Sequence, residues 1–237
     1  MWKVYLPSGR FAYRLKGGAI HAGLPLRSII PTIDAPVLTV LAGTTRPMSG
    51  RRVAALAGAS HPAVGAVLAR LTEAGIVTAT PQGPSVLYVA NRDHLAWPAI
   101  EALTRLRGAA LDLMRDSIGS WPIAPRTALL FGSFARADGD DSSDIDLLVV
   151  QPNMPSGARA AQGWQPRWEN QVAELQERVQ HATGNHVQVL DEDLGKLRRR
   201  VQAADPILDS WRADGLVLAG TATLDEVLLE AVAKERA

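Results

Sequence analysis

Residues 127–150 read TALLFGSFARADGDDSSDIDLLVV, and this stretch decides the fold of the C-terminal half. It predicts an apolar strand, a Gly132-Ser133 turn, a short polar helix or loop, and a second strand that starts with two aspartates. Gly132 lets the backbone approach a phosphate closely, and Ser133 adds a hydroxyl to the amide donors at the start of the following helix. We therefore expect this turn to bind phosphate groups.

Asp144 and Asp146 are two residues apart on the second strand, so their carboxylates leave one face at about twice the ~3.3 Å rise per residue. One divalent ion can bridge that gap, and hard oxygen ligands suit Mg²⁺ or Mn²⁺. Aspartates on an otherwise apolar strand are costly to bury without a metal or a partner. A solvated acidic turn is the alternative interpretation, because Asp138, Asp140 and Asp141 lie in the same stretch.

Gly-Ser followed by Asp-x-Asp on the next strand resembles the nucleotidyltransferase superfamily, which includes DNA polymerase β, kanamycin nucleotidyltransferase and the minimal nucleotidyltransferases of bacterial toxin-antitoxin pairs. The resemblance covers residues 120–220 and implies an α+β fold, a mixed sheet with helices. It implies that Asp144 and Asp146 bind Mg²⁺ or Mn²⁺ and act in catalysis. It also implies that a nucleoside triphosphate is bound by Gly132, Ser133 and Arg136.

The third acid of this family, which binds metal and helps activate the attacking hydroxyl, lies on a later strand. Residues 186–190 read HVQVL here, and the position between the valines is Gln188, which is neutral and cannot act as a base. Strict alternation puts Asp191 on the opposite face, so Asp191 or Glu192 substitutes only if the strand ends or bulges. Otherwise these two acids are expected to cap the helix that begins near Leu194.

Charge separates the chain into a basic and an acidic part. Residues 1–70 contain nine Lys or Arg and one acid, Asp34, for a net charge of +8, whereas the remainder carries −7. This split predicts that the N-terminal part faces a polyanion, and a solvated basic surface is the alternative.

The chain has no cysteine, which fits a reducing cytoplasm and leaves oxygen or histidine as metal ligands. The five histidines show no metal-ligand spacing. No apolar stretch approaches the ~18 residues of a membrane span. We therefore expect a soluble cytoplasmic protein with no membrane partner.

Residues 35–95 follow the order helix, helix, helix, hairpin, and together with the basic charge they resemble the winged helix-turn-helix domain of bacterial transcriptional regulators. The resemblance implies double-stranded DNA as a partner, with the helix over residues 60–74 in the major groove. A protein-docking or dimerisation module is the alternative. The predicted DNA contacts are Arg51, Arg52, His61 and Arg70.

The predicted domains are a basic segment with a hairpin (residues 1–32), a winged helix (33–97), a connecting helix (98–121) and a nucleotidyltransferase domain (122–237). Pro122 and Pro125 mark the last boundary. The connecting helix has an apolar stripe that includes Ile100, Leu106 and Met114, and it either packs on its own chain or pairs two subunits of a homodimer.

These features favour a DNA-binding transcriptional regulator whose nucleotidyltransferase domain binds Mg²⁺ and a nucleoside triphosphate and transfers a nucleotide to a protein or small-molecule hydroxyl. Loss of catalysis through Gln188 is the first alternative, and it would leave a nucleotide sensor that biases DNA binding. The second alternative is a toxin-antitoxin type antitoxin that modifies a partner protein. An antibiotic-modifying enzyme is less attractive because it gives no use for the basic N-terminal part.

Overall fold

The computed structural model describes residues 19–155 and 163–233 in full, and residues 2–5 and 11–14 as backbone strands. The chain forms two compact units. The inserted unit is Leu24–Gly108, and the discontinuous unit combines Met1–Gly23 with Ala109–Ala237. The chain therefore starts in the discontinuous unit, leaves it to form the inserted unit, and then returns.

The N-terminal segment contains the predicted hairpin, in which β1 (Trp2–Tyr5) pairs with β2 (Phe11–Arg14) in antiparallel register. This segment belongs to the discontinuous unit, so four of the nine basic residues counted above lie outside the inserted unit. The inserted unit itself has eight arginines and four acids. It is therefore basic, although less so than the division at Arg70 suggested.

The inserted unit has a 3₁₀ turn at Pro25–Ser28, three helices, a small antiparallel sheet and a fourth helix that follows the sheet. The sheet has the order β3-β5-β4. Apolar side chains from the first three helices, including Leu38, Val53 and Leu68, contribute to one buried core. The elements are α1 (Asp34–Ala42), β3 (Met48–Ser49), α2 (Gly50–Ala57), α3 (His61–Glu73), β4 (Val77–Gln82) and β5 (Ser85–Ala90).

Short-range signals define the ends of α2 and α3. The Ser49 hydroxyl accepts a hydrogen bond from the Arg52 amide at the start of α2, and Gly58 ends this helix with φ +63°. Helix α3 follows Ser60 as predicted, although the Ser60 hydroxyl makes no capping bond to the described helix. Gly75, with φ +74°, follows its end. The predicted helix positions are therefore confirmed.

The turn between β4 and β5 consists of two residues. Gln82 pairs directly with Ser85, so only Gly83 and Pro84 form the turn, and Gly83 has φ +57°. Pro81 lies within β4, which is an edge strand of this sheet and therefore tolerates a residue without an amide proton.

The region of the predicted connecting helix contains two helices, α4 (Trp97–Thr104) and α5 (Leu106–Gly119). Arg105 separates them with φ −100° and ψ 8°. Trp97 and Ile100 are buried in the core of the inserted unit, whereas Met114 is fully buried in the part of α5 that belongs to the discontinuous unit.

The compact units also differ from the predicted domain boundaries. The inserted unit begins at Leu24 rather than at residue 33, because Leu26 is fully buried in the same core as Trp97. The discontinuous unit resumes at Ala109, before the boundary expected at Pro122 and Pro125.

The discontinuous unit is an α+β structure built on a four-stranded mixed sheet with the order β8-β7-β6-β9. Strands β6 and β7 are central, and every side chain in them except that of Asp146 is buried. Strand β8 runs parallel to β7, and the other pairs are antiparallel. The elements are β6 (Thr127–Phe131), α6 (Gly132–Arg136), β7 (Ile145–Val150), α7 (Trp164–Thr183), β8 (Val187–Glu192), α8 (Leu194–Gln202), α9 (Ile207–Asp214), β9 (Leu216–Gly220) and α10 (Leu224–Ala233).

Helix α8 begins at Leu194 as predicted, but its cap differs. The Asp193 carboxylate accepts a hydrogen bond from the Lys196 amide at 2.7 Å. Asp191 and Glu192 belong instead to β8, so the expectation that they cap this helix is wrong.

No single described helix is long and apolar enough to cross a membrane, although α2 and α3 meet this criterion when taken together across their 114° bend.

Candidate functional site

The glycine-serine turn lies against the second aspartate of the Asp-x-Asp pair. Phe131, the last residue of β6, pairs with Asp146 on β7, and Gly132 follows with φ +74°. The left-handed backbone favours glycine here, and a Cβ atom on Gly132 would lie 2.7 Å from Asp146 Oδ2. The turn and the aspartate therefore form one surface.

The segment that joins these two motif parts, residues 137–143, is called the motif loop below. Ala137 ends α6 in the left-handed region, with φ 60°. The amides of Asp138 and Gly139 then both donate to the Ser133 carbonyl, at 3.2 Å each. The motif loop therefore turns back onto Ser133.

Asp140 is the acid that stabilises the motif loop. Its Oδ1 accepts hydrogen bonds from the Ser142 amide and hydroxyl and from the Ser143 hydroxyl, at 2.7–3.0 Å. The Ser142 hydroxyl and amide bonds, then the Ser143 bond, lower the pKa of Asp140. The interpretation as a solvated acidic turn therefore describes Asp140, whereas Asp144 and Asp146 lie beyond that turn.

Asp146 is held in an unfavourable electrostatic environment. Burial, followed by repulsion from Asp144, raises its pKa, and His186 opposes this effect. His186 Nδ1 lies 3.6 Å from Asp144 Oδ1, and both side chains are about half exposed. The two aspartates and the histidine therefore interact at the end of the sheet where β7 and β8 begin.

The parallel pairing of β7 and β8 identifies the residue beside Asp146. Ile145 pairs with Val187 and Asp146 pairs with Gln188, which is exposed. Gln188 therefore stands next to the aspartate, at the position where the sequence predicted a missing third acid.

His186 is a site residue that the sequence prediction missed. The prediction judged histidines by their spacing from one another, and such spacing says nothing about which strand a histidine precedes. The usable signal was its place two residues before Gln188, the position where the resemblance implies the third acid.

Asp191 and Glu192 do not replace Gln188. Strand β8 continues through both residues with unbroken register and no bulge. The Asp191 carboxylate accepts hydrogen bonds from Gln151 Nε2 and Trp168 Nε1, at 2.9–3.0 Å. Glu192 is 4% exposed and pairs with Arg200 at 2.7 Å. Both acids are engaged by neighbouring elements of the fold.

Arg136, predicted to bind the nucleotide, is engaged by two carboxylates. Its Nε donates to Asp138 Oδ2 at 3.0 Å, and its Nη1 donates to Asp214 Oδ2 at 2.5 Å. In this structure the guanidinium therefore links the end of α6 to α9, and a nucleotide contact would have to compete with both ion pairs.

The donor set fits a metal ion that is shared with a substrate. Among the described residues, no three His, Cys, Asp or Glu side chains are gathered closely enough to hold an ion by themselves. Asp144 and Asp146 offer two hard carboxylates, and Mg²⁺ usually combines one or two carboxylates with water and substrate phosphates. The residues therefore fit a cation whose remaining ligands come from water and a triphosphate.

The predicted DNA contacts lie on α2 and α3 of the inserted unit. Arg51 and Arg52 are exposed at the start of α2 and form no ion pair within the part of the chain that the structure describes. His61 is exposed at the start of α3. Arg70, which was predicted to contact DNA, pairs with Asp34 at the start of α1.

Comparisons with known proteins agree with the residue pattern of the discontinuous unit. The model of a family described as "Nucleotidyltransferase domain" matches residues 117–200, which include Gly132, Asp144, Asp146 and Gln188. This part of the chain is a nucleotidyltransferase domain. No curated protein matches the chain.

Two solved structures are similar to this chain, and each alignment covers 55% of it and 86% of the other chain. One is a crystal structure of a toxin-antitoxin with AMP-PNP, at 23% identity and a TM-score of 0.31. The other is a mutant of the toxin-antitoxin MntA-HpeT, at 21% identity and a TM-score of 0.31.

Proposed function

We propose, from the nucleotidyltransferase domain at residues 117–200, that this protein binds a nucleoside triphosphate with Mg²⁺ or Mn²⁺ and transfers a nucleotide to a protein or small-molecule hydroxyl. The observation that carries the proposal is the 2.7 Å approach of the Gly132 Cβ position to Asp146 Oδ2. This approach leaves the glycine-serine turn and the second carboxylate on one surface, where a ligand that carries both phosphate and metal would contact both.

Each residue has a distinct role in this proposal. Gly132 admits the triphosphate close to the backbone, and Ser133 donates its hydroxyl to a phosphate oxygen. Asp144 and Asp146 are the metal ligands. The metal ion, when bound, supplies positive charge that neutralises the triphosphate. Its binding also removes the electrostatic penalty that raises the pKa of Asp146.

A second candidate function rests on Gln188. Because Gln188 pairs with Asp146 on the adjacent strand, the site has a neutral amide where the resemblance implies a carboxylate that activates the attacking hydroxyl. Such a site retains two ligands for a metal-bound nucleotide and loses the base. In this second function the domain is a nucleotide sensor, and the bound nucleotide shifts the population of DNA-binding states.

The inserted unit is proposed to be a winged helix-turn-helix that binds double-stranded DNA. Support comes from the order of α1, α2, α3 and the β4–β5 hairpin, and from the exposed arginines Arg46, Arg51 and Arg52 around the start of α2. Phosphate contacts from these arginines would provide most of the affinity, because α3 offers few side chains that can read base edges.

The decisive experiment for transfer uses the purified protein with Mg²⁺ and each α-³²P nucleoside triphosphate, with cell lysate as the source of acceptor. We expect a labelled product and released pyrophosphate, both of which disappear in Asp144→Asn. Measurable nucleotide binding without transfer would favour the sensor. Absence of binding would reject both functions.

The DNA proposal is tested by the salt dependence of binding to a genomic DNA fragment in a mobility-shift assay. Each phosphate contact adds about 0.9 to the slope of log K against log salt, so Arg51→Ala with Arg52→Ala should lower the slope by about 2. Arg105→Ala, which removes an arginine paired with Glu101 on α4, is the matched control. A DNA affinity that is insensitive to salt would favour a docking module instead.

A further inference from the structure

Residues 20–23, called the strap below, contact the nucleotide site from a distant part of the sequence. The hydrogen bond between Ile20 and Asn185 joins residues 165 positions apart. Ile20 and Ala22 are buried, so the strap packs against the discontinuous unit rather than lying in solvent. The strap also ends at the point where the chain leaves for the inserted unit.

Asn185 joins the strap to the backbone at the aspartate pair. Its side chain is 1% exposed, its Oδ1 accepts from the Ile20 amide at 3.0 Å, and its Nδ2 donates to the Ile20 carbonyl at 3.2 Å. The second Nδ2 proton goes to the Ser143 carbonyl at 3.0 Å. Ser143 immediately precedes Asp144, so one fully used amide holds both the strap and the end of the motif loop.

Gly23 makes the second connection. Its amide donates to the Gly139 carbonyl at 3.0 Å, and the Gly139 amide donates to the Ser133 carbonyl at 3.2 Å. A Cβ atom on Gly23 would lie 2.9 Å from the Ala137 carbonyl oxygen, a distance too short for two such atoms. The strap therefore approaches the motif loop so closely that only glycine fits.

We propose that the strap and Asn185 position the nucleotide site by fixing the motif loop at both ends, near Ser133 and near Asp144. The inference rests on the proposed function, because it concerns the same nucleotide. Asn185 and Gly23 are positioning residues that need not touch the ligand. A loop already fixed before binding avoids the ordering cost that a mobile loop would incur, which increases the affinity for the metal-bound nucleotide.

The test compares two strap variants with two matched controls. Gly23→Ala introduces the clash with Ala137, and Asn185→Asp replaces an amide donor with an oxygen that faces two carbonyls. Gly119→Ala adds a methyl group in the same unit where no atom lies within 4 Å, and Asn91→Asp repeats the amide change in the inserted unit, where Asn91 donates to a carbonyl. Mg-ATP dissociation constants are measured by calorimetry, at a temperature where circular dichroism shows each variant folded.

Both strap variants should weaken Mg-ATP binding by about tenfold, as expected when preorganisation is lost, while the controls bind like the wild type. Hydrogen exchange should accelerate at the Asp138 and Gly139 amides and stay unchanged in β6. If Asn185→Asp does not fold, Gly23→Ala decides alone.

Equal Mg-ATP affinity in folded strap variants and controls would overturn the positioning role and leave the proposed function standing. A wild-type protein that binds no Mg-ATP would instead reject the proposed function, and the positioning role with it.

Discussion

Strands β7 and β8 lie side by side and parallel, yet their acids are at opposite ends and serve different purposes. Asp191 and Glu192, at the end of β8, are engaged by Trp168 and Arg200. Asp144 and Asp146, at the start of β7, accept no hydrogen bond among the described residues. Asp144 lies 3.6 Å from His186 and repels Asp146. A half-buried carboxylate without a donor, as at Asp146, is unfavourable for the fold alone, and such groups concentrate at binding and catalytic sites.

The largest expected effect comes from removing the β7 acids. The double variant Asp144→Asn, Asp146→Asn should weaken Mg-ATP binding by about 1,000-fold, roughly 4 kcal/mol, because both metal ligands are lost. Calorimetric titration measures this affinity. Asp191→Asn is the matched control and should retain wild-type Mg-ATP affinity, because its carboxylate contacts Gln151 and Trp168 instead. A similar loss of Mg-ATP affinity in the double variant and in Asp191→Asn would contradict the difference between the two strands.

Removing the Glu192 carboxylate should lower the free energy of unfolding and leave the affinity for Mg-ATP unchanged. Glu192→Ala leaves the Arg200 guanidinium without its most buried partner, and breaking a buried pair in this way costs about 2–3 kcal/mol when the remaining charge stays partly exposed. Chemical denaturation measures the loss. Mg-ATP affinity in native buffer should stay unchanged, and a selective loss of nucleotide binding would place Glu192 in the site after all.

Gln188→Asp tests whether a carboxylate near the start of β8 is all that the metal site lacks. The new acid would stand beside Asp146, so the affinity for Mn²⁺ in the presence of nucleotide should increase about tenfold, by roughly 1.4 kcal/mol. Electron paramagnetic resonance of free Mn²⁺ reports the affinity, and Gln188→Asn is the neutral control. An unchanged affinity would mean that this position does not face the metal.

The smallest effect concerns Asp146 without metal. Because burial and Asp144 raise its pKa above the unfolded value, the folded state binds this proton more tightly. The resulting stabilisation is present at low pH and is lost as pH rises through the raised pKa. Asp146→Asn should therefore raise Tm by about 1–2 °C at pH 7 in EDTA. The difference should vanish near pH 3, and a Tm that is lower at pH 7 would contradict the assigned cause.

Local sequence signals were sufficient for the central parts of both units. The helix predicted over residues 60–74 is α3, and the apolar strand, glycine-serine turn and Asp-x-Asp strand lie where residues 127–150 predicted them. Each of these signals acts within a few residues, through backbone conformation or alternation. The resemblance placed Gln188 at the position of the family's third acid, and the structure pairs Gln188 with Asp146 on β7.

Contacts between residues far apart in the chain could not be predicted from the sequence. Nothing in residues 19–23 has a periodic pattern, and their partner Asn185 is a single amide with no motif around it. The resemblances assigned Arg136 to the nucleotide and Arg70 to DNA, but carboxylates from other elements, Asp214 and Asp34, pair with them in the structure. The apolar periodicity of Ile100, Leu106 and Met114 continues across Arg105 and so does not reveal the helix break there.

The discontinuous unit has a consequence for synthesis and folding. The strap leaves the ribosome early, but its partner Asn185 follows 165 residues later, so this contact forms late and has a high contact order. The entropy of closing a loop grows only as about (3/2)RT ln n, and compaction of Leu24–Gly108 shortens the effective loop further. A chain that begins at residue 109 would therefore lack the strap and its hydrogen bonds to Asn185 and Gly139.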